Sequence, residues 1–385
     1  MKVFVIAGEP SGDALGQALM KGLKHLVPDI AFEGVGGPLM QSQGLSSLFD
    51  MSELSLMGLV EILPKYRHLK RRIRETAQSV LDAEPDVLIT IDSPDFCLRV
   101  AKQVKARSTI RCVHYVAPTV WAWRPGRADK MAKVIDHVLA LFPFEPAYMH
   151  AAGMQCDFVG HPIAVSPQAS AEAAAAFRRQ HGLDDGPLIL ALPGSRRGEV
   201  TRLSDIFAKS LGQVCKVHPS ARVVVPAAAS VAELVLEKAK TWPGAPLVLD
   251  GRLNSATDDK RAAFRAADVA LAASGTVSLE LAAAQTPMVI AYDMAWLSRI
   301  IISRMLRVDT VTLVNLVSET RVVPEFIGKN CQPDLIGDGV TGVLSDPKSQ
   351  RDAMRKTMTL LGAGGEAPGL RAARAVLKGV PGASS

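Results

Sequence analysis

Short apolar runs, each followed by a turn and a helical pattern, recur along nearly the whole chain, and no other feature constrains its fold as much. In the first half they are Val3–Ala7, Val87–Ile91, Cys112–Val116, Val138–Phe142 and Phe158–Val159; in the second, Leu188–Leu192, Val223–Val225, Leu247–Leu249, Val269–Ala272 and Met288–Ala291. Runs this short and this evenly apolar are strands buried on both faces, and the helical patterns between them are the crossovers that parallel pairing requires. The expected fold class is α/β, with two Rossmann-like doubly wound domains. At 385 residues there is chain enough for two cores, and 48% hydrophobic content excludes disorder. The first domain is expected over 1–165 and the second over 166–349, with a hinge from Pro162 to about Ser170. A C-terminal helix, about 350–385, is placed to pack back on the first. Thr310–Val314 reads as a further strand, and Val322-Val-Pro-Glu325 leads into another short element.

Several classes fall away early. No run approaches the length of a transmembrane helix, and the apolar start after Met1-Lys2 is too short for a signal peptide, so it reads as the first strand of a cytosolic protein. Cys97, Cys112, Cys156, Cys215 and Cys331 are scattered singly, which indicates buried thiols rather than disulfides or a zinc site. A formal net charge of +6 calls for an anionic partner without naming it.

Two turns in the second half carry the anion chemistry. In Leu190-Ala-Leu-Pro-Gly-Ser-Arg-Arg-Gly-Glu-Val200 a strand stops at Pro193-Gly194 and a helix begins. Gly194 lets the backbone come close to a ligand, and Ser195, Arg196 and the first free N–H groups attract anionic oxygens. A crossover turn with surface arginines is an equal alternative for this loop alone. In Ala273-Ser-Gly-Thr-Val-Ser-Leu-Glu280, Ser274, Gly275 and Thr276 offer hydroxyls and N–H groups at a helix start, and Glu280 suits a ribose diol. A capping turn, with Glu280 paired to a base, explains the same residues.

In the first half, Gly8-Glu-Pro-Ser-Gly-Asp13 brings Glu9, Ser11, Gly12 and Asp13 to the carboxyl end of the first strand, where open α/β sheets bind ligands. The G-x-G-x-x-G spacing is missing, which disfavours a nicotinamide cofactor. Asp92 follows Val87–Ile91 and is either a general base or a helix cap; Asp95 reads as the cap. His114 lies in a strand, where a hydrogen-bonded interior histidine is the ordinary reading. The loop Ala117–Gly126 holds Trp121, Trp123 and Arg124, and with Arg127 it suits an anionic headgroup.

Between Ser52 and Leu81 an apolar stretch with Leu54, Leu56, Met57, Leu59, Val60, Ile62 and Leu63 passes into a basic one with Lys65, Arg67, Lys70, Arg71, Arg72 and Arg74. That order is typical of a segment lying at a membrane surface, although an ordinary amphipathic helix is the preferred reading from these residues alone. Trp296–Met305, flanked by Arg299, Arg304 and Arg307, is a second such stretch and equally a subunit interface of a homodimer.

Two such halves without a dinucleotide fingerprint describe the B-type nucleotide-sugar glycosyltransferase architecture, in which a central cleft between the domains holds donor and acceptor. More closely, Gly8–Asp13, Met57-Gly-Leu-Val-Glu61, Ile91–Phe96, His114–Arg124, Leu192–Arg196 and Ala273–Thr276, in this order, resemble the lipid-A-disaccharide synthase family over almost the whole chain. The resemblance implies an inverting transfer from UDP-2,3-diacylglucosamine to 2,3-diacylglucosamine 1-phosphate. The products are the β-1,6-linked lipid A disaccharide 1-phosphate and UDP, with neither metal nor cofactor. It implies Asp92 as the essential base. It puts UDP at Gly194, Ser195, Arg196, Ser274, Gly275, Thr276, Glu280 and Asn315, and the acceptor or cleft near Glu9, Ser11, Gly12, Asp13, His114 and Arg124. The apolar and basic residues from Met57 to Arg71 then face anionic lipid, on the cytoplasmic side of the inner membrane of a Gram-negative bacterium. The chain departs from the family at Val314, where proline is usual, and at Gly328, near a usual glutamine. A UDP-N-acetylglucosamine 2-epimerase-like enzyme and a non-enzymatic phosphoglycan-binding protein are the rival expectations. Nucleic acid is not an expected partner, since no binding motif for it is present.

Overall fold

The computed structural model describes every residue except 55–58, 125, 184–185, 295–307, 381 and 383–385, and only the backbone of 59–66. The chain forms two compact units, Met1–Val165 with Leu361–Ser385, and Ser166–Leu360.

The first unit holds seven strands, β1 (Lys2–Ala7), β2 (Ala31–Val35), β3 (Ser46–Ser47), β4 (Val87–Ile91), β5 (Arg111–Tyr115), β6 (His137–Ala140) and β7 (Gln155–Phe158). They lie in the order β3-β2-β1-β4-β5-β6-β7, every pair parallel. The helices are α1 (Pro10–Leu26), α2 (Pro38–Gln41), α3 (Leu59–Ala83), α4 (Pro94–Lys105), α5 (Gly126–Met131) and α6 (Glu145–Ala151). All five residues of β4 are buried, and α4 turns Phe96, Cys97, Val100, Ala101 and Val104 onto the sheet at helical spacing. Each large apolar side chain so buried contributes about 1.5–3 kcal/mol. The helix Pro368–Leu377 closes this unit by packing on α1, and two glycines permit the approach. A Cβ on Gly22 would stand 2.7 Å from the Gly369 carbonyl, and one on Gly369 2.5 Å from that of Ala18.

The second unit repeats the plan with β8 (Leu188–Leu192), β9 (Arg222–Ala227), β10 (Leu247–Asp250), β11 (Val269–Ala272), β12 (Met288–Tyr292) and β13 (Glu325–Ile327), in the order β10-β9-β8-β11-β12-β13, again all parallel. Among its helices are α7 (Ala171–Gln180), α8 (Arg197–Val217), α9 (Ala232–Ala239), α10 (Ala256–Ala266) and α11 (Val277–Ala284). Val200, Leu203, Phe207, Leu211 and Val214 are the buried stripe of α8.

In both sheets the strand order reverses once, between β1 and β4 and between β8 and β11. At these switch points the loops diverge to opposite faces and leave a crevice at the strands' carboxyl ends. Ala7 pairs with Ile91, so Gly8-Glu9 and Asp92-Ser93 emerge side by side; Leu192 pairs with Ala272, so Pro193–Ser195 and Ala273–Gly275 do the same.

Two expectations require correction. Thr310–Val314 is not a strand: a helix runs from Leu313 to Ser318. Glu325 Oε1 accepts from Thr310 Oγ1 and from the backbone N–H groups of Val311 and Thr312, at 2.6, 3.1 and 2.6 Å, so those donors are taken by a carboxylate instead of a neighbouring strand. Asp95 is not the cap of α4 but lies in its first turn, and the cap position is Ser93.

Candidate functional site

The second sheet's switch point opens into a cavity of about 640 Å³. Of the residues expected to bind UDP, Gly194, Ser195, Arg196, Ser274, Gly275, Thr276 and Glu280 all line it. The turn before α11 supplies open donors: Gly275 has φ +138°, and the N–H groups of Gly275, Thr276 and Val277 meet no backbone acceptor among the described residues. Such N–H groups at the positive end of a helix dipole form an anion site.

The turn before α8 is built differently. Glu199 reaches back one turn, and its Oε2 accepts from the N–H of Ser195 at 3.2 Å and of Arg196 at 3.3 Å, while Oε1 meets the Arg196 guanidinium at 3.4 Å. Gly194, at φ +117°, makes room for this carboxylate: a Cβ there would stand 2.6 Å from Glu199 Oε2. The glycine expected to admit a ligand admits Glu199.

Across the cavity, Glu280 forms an ion pair with Lys260 at 2.5 Å, the base anticipated for it in the alternative reading. Lys260, Glu199, Thr257 and an apolar wall of Pro226, Ala227, Leu249 and Gly251 were not singled out from sequence. The signal available was the position of Pro226, Ala227 and Gly251 just after the apolar runs Val223–Val225 and Leu247–Leu249.

Asn315 does not join this cavity. It is 1% exposed, donates to Thr310 Oγ1 and the Val323 carbonyl, and accepts from the Val323 N–H. These bonds tie the helix Leu313–Ser318 to the bend before β13, so Asn315 braces the fold. A second recess, about 780 Å³, lies where β8, β9 and β11 begin. Its Arg178 guanidinium is spent on Asp268 and the carbonyls of Leu183, Gly186 and Ala266.

In the first unit, Asp92 stands at the switch point with φ +51°, followed by Ser93 at +43°. Val116, one residue beyond β5, has φ +86°, and Arg124 +52°. Left-handed backbone at non-glycine residues costs on the order of 1–3 kcal/mol each, most for a β-branched one, and concentrates at sites where function needs a fixed direction. The Asp92 N–H donates to the Tyr115 carbonyl at 3.0 Å, while its half-buried carboxylate takes no hydrogen bond from a described side chain or backbone group.

The neighbouring polar residues differ in burial. Ser11 is exposed and Glu9 half-buried at the start of α1. Arg124 is exposed and lies over the Trp123 ring at 4.4 Å, with Arg127 at 6.0 Å from the same ring. Asp13, by contrast, is buried, and accepts from the N–H groups of Gly37, Leu39 and Met40 at 2.9–3.0 Å; it caps α2. Gly12 is buried too and brings α1 close to β4, its Cβ position 3.5 Å from the Ile91 carbonyl. His114 is 1% exposed, bonded through Nδ1 to Thr90 Oγ1 at 2.7 Å, and burial lowers its pKa to about 4. Asp13, Gly12 and His114 thus serve as interior supports beneath the switch point. Trp121 is also interior, edge-on to Phe144 at 5.2 Å. Beside it, buried Glu145 accepts from the N–H groups of Leu141 and Phe142, and burial raises its pKa to about 7.

Arg67, Lys70, Arg71 and Arg74 are exposed along α3. Arg72 turns inward to Glu53, at 2.7 Å. Leu56 and Met57 lie outside the described residues, as do the side chains of Leu59, Val60, Ile62, Leu63 and Lys65 and the whole stretch Trp296–Met305. No described helix is long and apolar enough to cross a membrane, and no cluster of three or more His, Cys, Asp or Glu among the described residues could hold a metal ion.

Solved structures with the same fold include UDP-GlcNAc 2-epimerases from Neisseria meningitidis, bound to UDP-GlcNAc, and from Methanocaldococcus jannaschii, in complex with UDP-GlcNAc and UDP. Their TM-scores are 0.61 and 0.60 at 11% and 12% identity, each match covering 98% of this chain and 99% and 98% of the other. At that identity they share architecture only. Sequence relatives go further: the lipid-A-disaccharide synthase of Ruegeria pomeroyi is 63% identical over 99% of this chain and 96% of its own. That of Rhodospirillum centenum is 45% identical over 97% and 94%. The family model for lipid-A-disaccharide synthetase matches residues 3–375. By this match over nearly its whole length, the chain belongs to the lipid-A-disaccharide synthase family of glycosyltransferases.

Proposed function

We propose that the cavity of the second unit binds the UDP part of UDP-2,3-diacylglucosamine and that Asp92 activates the 6-hydroxyl of 2,3-diacylglucosamine 1-phosphate. The apolar wall of Pro226, Ala227 and Leu249 suits a flat base, Glu280 suits the ribose diol, and the pyrophosphate meets the α11 N–H groups and Arg196. As the acceptor oxygen bonds to the anomeric carbon, its proton passes to the Asp92 carboxylate. The electron pair of the breaking C–O bond goes to the β-phosphate oxygen of UDP. Attack opposite the leaving group inverts the anomeric carbon and yields the β-1,6-linked disaccharide 1-phosphate. Charge growing on UDP is stabilised by the open α11 N–H groups, already oriented at the start of that helix, which limits reorganisation in the transition state.

The observation that carries this reading is Asp92 itself, an uncommitted carboxylate held by a strained turn at a switch point. Arg124 and Arg127 on Trp123 suit the acceptor's 1-phosphate. Both substrates carry acyl chains, and the exposed cations of α3, next to the apolar stretch that precedes them in sequence, favour peripheral attachment to an anionic bilayer at the inner membrane's cytoplasmic face. Incubation with both substrates and mass spectrometry of the lipid products tests the proposal. The disaccharide 1-phosphate and UDP are expected in equal amounts; an epimerised UDP-sugar without coupling would contradict it.

A further inference from the structure

The two helix starts that face the donor cavity are unequal. Before α11 the N–H groups of Gly275, Thr276 and Val277 are open to an incoming anion, whereas before α8 those of Ser195 and Arg196 converge on a carboxylate of the chain itself. Glu199 also draws the Arg196 guanidinium, so one negative charge engages the three donors of this loop that an anion would use. Its side chain is 17% exposed and sits in the hollow that Gly194 leaves, on the wall of the cavity. The fit is that of a capping box in which Glu at the third helical position closes the turn.

We propose that Glu199 sets the affinity of the donor site by competing with the pyrophosphate for the Ser195 and Arg196 donors. This rests on the reading of the cavity as the UDP site. A phosphate oxygen that takes those N–H groups must displace Glu199 or sit beside it, and either course works against binding. Displacement gives up two charge-assisted hydrogen bonds, and coexistence puts like charges a few ångströms apart on the cavity wall. The penalty falls on the anionic part of the nucleotide and leaves base and ribose untouched. It also falls hardest on UDP, whose terminal phosphate carries more charge than the diester phosphates of the UDP-sugar. Glu199 therefore favours release of product over loss of donor.

The test is calorimetric titration of the full chain and of Glu199→Gln with UDP and with uridine. Glutamine keeps an oxygen to accept from the turn and removes the charge. UDP is expected to bind roughly tenfold more tightly to Glu199→Gln, with uridine affinity within about twofold and product inhibition by UDP strengthened in parallel. Glu199→Ala, which drops the cap as well, is expected to move UDP affinity in the same direction, and its uridine affinity reports that the site is intact. Unchanged or weakened UDP binding in both variants, with uridine binding retained, would overturn the inference and make Glu199 a support for the pyrophosphate. Failure of the unmodified protein to bind either compound would instead overturn the nucleotide reading of the cavity, and this inference with it.

Discussion

Gly8 and Ser93 meet across the switch point of the first sheet: a Cβ on Gly8 would stand 2.6 Å from Ser93 Oγ and 3.1 Å from Ser93 Cβ. Ser93 follows Asp92 within the same left-handed turn, so this contact helps fix where the Asp92 carboxylate points. Gly8→Ala is expected to push that turn outward and lower kcat about tenfold or more, the scale of a misplaced catalytic group, with a loss of stability of about 1–2 kcal/mol. UDP affinity should stay as it was, because the nucleotide site belongs to the other unit. Steady-state kinetics beside UDP titration checks this, and an unchanged kcat would contradict it.

Glu280 is assigned to the ribose although it is paired with Lys260 at 2.5 Å. The assignment predicts that Glu280→Ala weakens UDP about tenfold and binds UDP and its 2′,3′-dideoxy analogue equally, whereas the unmodified protein prefers UDP. A preference that persists in the variant would mean that Glu280 serves only the ion pair.

His114 gives the first unit an acid-sensitive core. Burial holds its folded pKa at about 4, against 6.5 for an ordinary imidazole. Below pH 6.5 the unfolded chain therefore binds a proton that the folded one refuses, and stability falls with pH until about pH 4, by about 3 kcal/mol at most. Glu145 works the other way: its pKa is raised to about 7 from 4.5, so its contribution is present below 4.5 and lost as pH rises through 7. Urea unfolding between pH 7 and 4 should show a shallower loss for His114→Asn than for the unmodified protein. Parallel curves would show that His114 titrates normally.

Along α3 the exposed cations Arg67, Lys70, Arg71 and Arg74 are expected to contribute roughly 1 kcal/mol each to binding an anionic bilayer. Replacing all four with glutamine should cut association with phosphatidylglycerol vesicles by about a thousandfold at low salt and leave UDP binding unchanged. Vesicle binding that survives the change, or that ignores ionic strength, would contradict the electrostatic part of the membrane reading.

Strands with uniform burial were legible from sequence because apolar runs bounded by turns have few other fates. β4, β8 and β11 begin and end where the pattern does. β2 was not, because Ala31-Phe-Glu-Gly-Val35 mixes a charge and a glycine, and that glycine is required where the chain crosses the Val5 carbonyl. Motif residues at strand ends were legible as a group, yet their individual duties were not. Asp13, His114 and Asn315 look like site residues in the sequence because a capping or bracing polar group uses the same chemistry as a ligand-binding one. Only the partners, at Gly37, Thr90 and Val323, separate the two. Glu199 was hidden for the same reason in reverse, since an acidic residue in a helix's first turn is also what an ordinary cap uses.

The most direct measurement compares Asp92→Asn with the unmodified protein, reading disaccharide formation and UDP affinity on the same preparation. Asparagine preserves size and polarity but cannot take a proton, so turnover should fall roughly a hundredfold or more while the UDP dissociation constant stays within about twofold. Near-normal turnover would remove Asp92 from the reaction and contradict the account.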